Sequence, residues 1–259
     1  MAAFWKQVSC SSPPNKLSKT DICLGETRLA DNWKSTTKAL LRITSDSHPK
    51  FIADLREHVI DVLAIIDDWV DDFEAPNILW VRGCPGVGKS SIASSVISTL
   101  RQRNRLGSRF IFEREKATLS TPNMLWRSVA YDLARQYPPV RNAVVKMLKE
   151  EEVDVETSNV KALFRQLIEE PLEAAETGQI PRGRLPVIVV DALDECGGRD
   201  GRRSAHREGL LQTLKRWSNV SKQFKLIVTS RIEDDIARVL SPISEGIDLS
   251  TGSRVKEQA

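Results

Sequence analysis

Cysteine and histidine are scarce in this chain: 259 residues carry four of the first and three of the second. Cys10, Cys23, Cys84 and Cys196 form no C-x-x-C pair, and no two histidines stand at metal-ligand spacing. A disulfide scaffold and a zinc centre are therefore excluded. Long apolar runs are also missing. Val62 to Ile66 is among the longest, against the roughly 20 residues that a membrane-spanning helix needs. The first twenty residues hold no apolar run of secretory-signal length, so the expectation is a reduced, cytoplasmic setting without a membrane span. Composition excludes collagen-like and coiled-coil chains as well.

What is present is an ordinary globular share of apolar residues, 41% before glycine is counted, which excludes wholesale disorder and allows one or two domains. Charge nearly cancels, with a formal net of +3, but it is unevenly spread. Residues 81–150 carry 13 basic and 4 acidic side chains, whereas the segments on either side are net acidic. A polyanion partner is one reading of that basic third; scattered arginines on helix surfaces are the commoner cause. No specific nucleic-acid partner is expected.

Patterning divides the chain into four. Residues 1–49 read as a weakly structured leader, and residues 50–75 as an amphipathic linker helix. In the latter, Ile52, Leu55, Val59, Val62, Leu63, Ile66, Trp69, Val70 and Phe73 recur at three- and four-residue steps. One such stripe needs one surface to cover it, so a helix packed on the next domain is preferred to a relay. Residues 76–251 read as α/β, with short apolar strands alternating with amphipathic helices. Strands are expected at Ile78–Val81, at Arg109–Phe112 after a break at Gly107, at Val187–Val190 and at Phe224–Val228. Thr121-Pro122 supplies a helix cap and first turn, helical patterns run from there to about Leu148 and again through Val160 to Ile168, and Gly178 to Pro186 reads as a loop. Residues 252–259 read as a tail. The alternation implies a parallel sheet flanked by helices.

Gly83-Cys84-Pro85-Gly86-Val87-Gly88-Lys89-Ser90 matches G-x-x-x-x-G-K-[ST] at each fixed position, between a strand and a helix. Glycines let successive N–H groups turn inward as an anion nest, and the helix start adds its positive dipole end. Lys89 would reach the β- and γ-phosphates, Ser90 would ligate Mg²⁺, and Ser91 would complete the phosphate-binding stretch. Cys84 could be a redox-active thiol, but a variable position within the loop is the simpler reading.

Val187–Val190 is followed by Asp191-Ala192-Leu193-Asp194-Glu195. An aspartate at a strand's carboxyl end, downstream of a phosphate loop, is placed to meet Mg²⁺. Ala192 is small enough for close backbone approach. Asp194 and Glu195 lie within reach of an attacking water. A further strand ends in Thr229-Ser230-Arg231, and Arg231 at the same crevice would read the γ-phosphate. The arginines of the Gly197–Arg207 loop read as solvated, and Arg101, Arg103 and Arg105 as cations offsetting a helix C-terminus.

Together these motifs resemble the NACHT NTPases, within the group of signal-transduction ATPases with numerous domains. Val190-Asp191-Ala192-Leu193-Asp194-Glu195-Cys196, Ala130-Tyr131-Asp132-Leu133-Ala134 and the Leu163–Leu172 segment look like the fungal, nephrocystin-like members. The resemblance covers roughly residues 50–250. It implies a P-loop NTPase fold and a nucleotide-controlled switch, with slow hydrolysis of ATP (or GTP) with Mg²⁺. It also implies self-association or other signalling partners, and in fungal relatives a link to non-self recognition and cell death. Such proteins continue past the sensing strand into helical and winged-helix subdomains. Here 28 residues follow Arg231, so the expectation is a shortened member. No N-K-x-D guanine motif and no L-S-G-G-Q occurs, which disfavours a GTPase and a transporter ATPase. A nucleotide-dependent interaction module without meaningful turnover is the alternative.

Overall fold

The computed structural model describes residues 49–116, 120–149, 159–175, 185–198, 204–220, 222–250 and 253–255. The expected leader lies outside them, as does most of the loop expected between Gly178 and Pro186. Helix α1 (Pro49–Asp71) leads into strand β1 (Ile78–Arg82), followed by α2 (Lys89–Gln102) and β2 (Leu106–Ile111). Helices α3 (Pro122–Gln136) and α4 (Pro138–Lys149) come next. A helical stretch then runs through α5 (Val160–Phe164), a π-turn (Arg165–Glu169) and α6 (Glu170–Ala174). After these come β3 (Val187–Asp191), α7 (Ala205–Trp217), β4 (Lys225–Ser230), α8 (Asp234–Leu240), β5 (Glu245–Asp248) and β6 (Ser253–Val255).

The strands form one sheet in the order β2-β3-β4-β1-β5-β6. Its first five strands are mutually parallel, and β6 is antiparallel to β5. The central strands are apolar on both faces because both faces are covered. Trp80, Val190 and Val228 point to the side roofed by α3 to α8, where Trp126, Phe164 and Trp217 pack together. Trp126 stacks on Trp217 at 5.9 Å and meets Phe164 edge-on at 4.7 Å. Leu79, Val81, Val189 and Ile227 point to the opposite side, where α1 and α2 lie.

Helix α1 is bound to the sheet by more than its apolar stripe. Val62, Leu63, Ile66, Trp69 and Val70 are buried, while Ile52 and Leu55 fall where side chains are not described. Arg103 pairs with Asp67 at 3.0 Å, and Arg105, 3% exposed, pairs with Asp71 and donates to the Val70 carbonyl. These two arginines of the basic third thus clamp α1 rather than offsetting a helix end alone. Lys225, at the start of β4, donates to the Asp72 carbonyl at 2.7 Å and lies 4.4 Å over the Trp69 ring.

Three local features differ from the sequence expectation. Gly107 lies inside β2 instead of breaking the chain before it: a Cβ there would meet Pro186 Cβ at 2.8 Å and Leu133 Cδ2 at 3.0 Å. The glycine therefore marks a close approach within a strand. The helical pattern expected to run to Leu148 divides at Tyr137, because Pro138 starts a new helix. Residues 245–255, where no strand was read, supply β5 and β6. Glu245-Gly-Ile-Asp248 is too short and too polar to alternate visibly, and Ser253–Val255 falls within the stretch read as a tail.

Burial pushes the Lys225 ammonium from its ordinary 10.5 down to about 8. Below pH 8 folded and unfolded chains both hold the proton. Between pH 8 and 10.5 the unfolded chain binds more protons, so this residue makes stability rise with pH. Burial of the Cys196 thiol, pushed up to about 12, acts in the opposite direction above pH 9. A comparison with Lys225→Met isolates the lysine. In urea denaturation from pH 8 to 10, the parent should gain on the order of 2 kcal/mol relative to the variant; parallel profiles would show the ammonium to be solvated.

Candidate functional site

Strand register builds the site. Val190 of β3 lies beside Val228 of β4, so Asp191 falls level with Thr229, which in turn lies beside Val81 of β1. The carboxyl ends of three adjacent strands therefore open onto one crevice, the place where parallel α/β sheets take ligands. A cleft of about 330 Å³ lies there, between the glycine-rich turn after β1, the acidic turn after β3 and the end of β4.

The glycine-rich turn has the backbone that its sequence requires. Gly86 has φ 78° and Gly88 has φ 100°, values that only glycine adopts without strain. Gly83 is buried under the turn, where a Cβ would meet Val87 Cγ1 at 2.8 Å. Lys89 opens α2 and curls back, donating to the carbonyls of Gly83 and Cys84, both at 2.8 Å. Burial lowers its pKa, and the nearby Asp194 carboxylate partly offsets that. Pro85, Gly86, Gly88, Lys89, Ser90 and Ser91 line the cleft. Of the expected phosphate-binding residues, Gly83, Cys84 and Val87 do not. Cys84 and Val87 are exposed, and Cys84 is a free thiol.

The acidic turn is held under strain. Ala192 takes the left-handed conformation, φ 57° and ψ 46°, an uncommon state for a residue with a Cβ. Its N–H donates to Thr229 Oγ1 at 3.0 Å, and the same hydroxyl donates to Asp191 Oδ1. Thr229 thus fixes both the kink and the carboxylate. Asp191 is 5% exposed and Asp194 is 3% exposed. Asp194 accepts from the Arg231 N–H at 3.0 Å and lies 3.1 Å from Arg231 Nε. Glu195 is half-buried on the cleft wall, and its Oε2 accepts from the Arg114 N–H at 3.0 Å.

The structure therefore brings Lys89, Ser90, Asp191, Asp194, Glu195 and Arg231 to one cleft. Asp194, expected within reach of an attacking water, is paired there with Arg231. Thr229, noted in the sequence only as a polar strand end, is a hub of the site. Arg207, read as a solvated loop residue, is buried behind it with a side chain 1% exposed.

Among the described residues no group of three or more His, Cys, Asp or Glu is placed to hold a metal. Of the hard oxygen donors on the cleft, the Asp191 carboxylate ends its strand and the Ser90 hydroxyl starts its helix, while Asp194 is paired with Arg231. That set suits a Mg²⁺ ion completed by water and phosphate oxygens, and not an all-protein cage.

A family model described as Nephrocystin 3, N-terminal, matches residues 64–231. Vegetative incompatibility protein HET-E-1 of Podospora anserina is 25% identical over 248 residues, covering 91% of this chain and 16% of that protein. The chain thus spans less than a fifth of that relative's length. With more than half of its residues inside the matched region and a parallel sheet flanked by helices, the chain belongs to the nephrocystin 3 N-terminal family, a NACHT-like group of P-loop NTPase fold.

Proposed function

We propose that this chain binds a nucleoside triphosphate together with Mg²⁺ in the cleft, ATP in preference to GTP, and hydrolyses it slowly as a signalling switch. The observation that carries the reading is the convergence of Lys89, Asp191, Glu195 and Arg231, from three strand ends, on one glycine-rich cleft. Lys89 would exchange the Gly83 and Cys84 carbonyls for β- and γ-phosphate oxygens. Inward N–H groups of the Gly83–Ser91 turn would hold the remaining phosphate charge. Ser90 and Asp191 would hold the Mg²⁺, which when bound neutralises charge on the phosphates.

Glu195 suits the general base, because its carboxylate lies on the cleft wall with one oxygen oriented by the Arg114 N–H. It would accept a proton as water attacks the γ-phosphorus, while the bond from that phosphorus to the β-bridging oxygen breaks. Asp194 holds Arg231 at the cleft edge, and Arg231 would meet the γ-phosphate. The lining carries three carboxylates and two cationic side chains, so a free polyphosphate anion is repelled and Mg²⁺ reverses the balance. ATP is favoured over GTP by the missing N-K-x-D motif. By likeness to the incompatibility protein, the switch would serve fungal non-self recognition, its output being self-association or contact with other signalling proteins.

A second reading, a nucleotide-dependent interaction module with little turnover, draws support from the partners already taken. Arg231 is held by Asp194 and Glu195 by a backbone N–H.

Lys89→Ala should weaken Mg·ATP binding by about two orders of magnitude in calorimetry, since it deletes a direct charge on phosphate; equal affinity for both proteins would sink the phosphate-loop assignment. Glu195→Gln should leave affinity within about threefold and slow single-turnover hydrolysis by about 10²–10⁴-fold. Unchanged hydrolysis would move the base elsewhere. Chelation of Mg²⁺ should weaken ATP binding by at least about tenfold. In a Cys10→Ser, Cys23→Ser background, exposed Cys84 should react with maleimide while buried Cys196 does not.

A further inference from the structure

We propose that Arg207 is a positioning residue that locks the acidic turn after β3 to the segment after β4 and so sets Glu195 and Arg231 for reaction; the inference rests on the nucleotide-hydrolysing reading of the cleft. Arg207 does not line the cleft. It is the third residue of α7, whose cap Ser204 accepts from the His206 N–H. That is an unfavourable place for a cation, because the helix N-terminus already carries positive partial charge. Burying the guanidinium adds a desolvation cost. A charge kept there against both costs must be held by its partners.

Those partners come from the two loops that form the reactive edge. Arg207 Nη1 donates to the Asp194 carbonyl at 3.0 Å. Nη2 donates to Glu233 Oε2 at 2.7 Å and to Asp235 Oδ1 at 3.2 Å. Nε lies 2.8 Å from Asp235 Oδ2, close enough for an ion pair, though out of line for a hydrogen bond. Glu233 occupies the N-cap position of α8 without a side-chain capping bond, and Asp235 lies in the first turn, two and four residues past Arg231.

The geometry makes two crossed links between the same loops. In front, the Asp194 carboxylate holds the Arg231 N–H and guanidinium. Behind, the Asp194 carbonyl is held by Arg207, which is anchored in turn on Glu233 and Asp235. Asp194 is gripped by its side chain and its main chain at once, and Glu195 is the next residue. Loss of the rear link frees the turn that carries Glu195 and the segment that carries Arg231 together. Displacement of a reacting group by about 1 Å can cost about 10²-fold in rate, so the effect falls on turnover more than on affinity.

The test uses Arg207→Lys and, because a buried arginine variant can fail to fold, the double variant Glu233→Gln/Asp235→Asn at half-exposed positions. Two readouts are taken on the full chain. Hydrogen exchange of the unliganded protein should rise together in residues 191–198 and 230–236 and stay unchanged in β1 and α2. Single-turnover ATP hydrolysis per bound nucleotide should fall at least about tenfold while Kd for Mg·ATP changes less than about threefold. Exchange that rises only in the first turn of α7 would overturn the proposal. So would rate and affinity falling together with the folded fraction, which is what a merely structural residue gives. If the parent chain itself neither binds nor hydrolyses ATP, the function proposed for the cleft fails, and the exchange experiment still decides whether Arg207 couples the two loops.

Discussion

The parallel ladder of β3, β4 and β1 is the constraint on which the candidate site depends. Its strands are buried on both faces, so their backbone groups must pair within the sheet, and register is fixed by the apolar side chains on each side. Once Val190 is set beside Val228 and Val81 beside Thr229, the polar residues that end each strand have one place to go. Asp191, Thr229 and the glycine-rich turn meet at the sheet's edge because the apolar core behind them permits no other alignment. The strained Ala192 is the price of turning the chain sharply enough there to present Asp194 and Glu195. The Thr229 hydroxyl, bonded to the Ala192 N–H and the Asp191 carboxylate, offsets that strain.

Much of this was legible in the sequence, for identifiable physical reasons. Val187-Ile-Val-Val and Lys225-Leu-Ile-Val are runs that only a doubly buried strand needs. The glycine-rich turn declares itself because Gly86 and Gly88 occupy backbone states closed to other residues. The helix start at Thr121-Pro122 followed from a local hydrogen bond, from the Met124 N–H to the threonine hydroxyl, which needs no tertiary context.

Illegible features are those decided by tertiary contacts. Gly107 carries the same letter whether it breaks a strand or lets Pro186 press against it. Strand β5 is four residues with one buried apolar side chain, Ile247, and gains its place from β1 alone on one side and a three-residue β6 on the other. Arg207 follows several other arginines in a polar stretch, so nothing in the local pattern separates the buried cation from its solvated neighbours. Its partners, Glu233 and Asp235, lie 26 and 28 residues away. The arginines at 103 and 105 were likewise read against their own helix, when the carboxylates that matter to them belong to α1.

Helix α1 also stands in a simple geometric relation to the cleft. Its anchors, Arg103 and Arg105 beyond the end of α2 and Lys225 at the start of β4, sit at the far ends of two elements. The near end of α2 is Lys89, and just past the near end of β4 is Arg231. Fourteen residues of helix span about 21 Å, so the α1 anchors Arg103 and Arg105 lie about that far from the cleft end of α2. The anchors of α1 and the cleft residues Lys89 and Arg231 thus lie at opposite ends of the same two elements, α2 and β4.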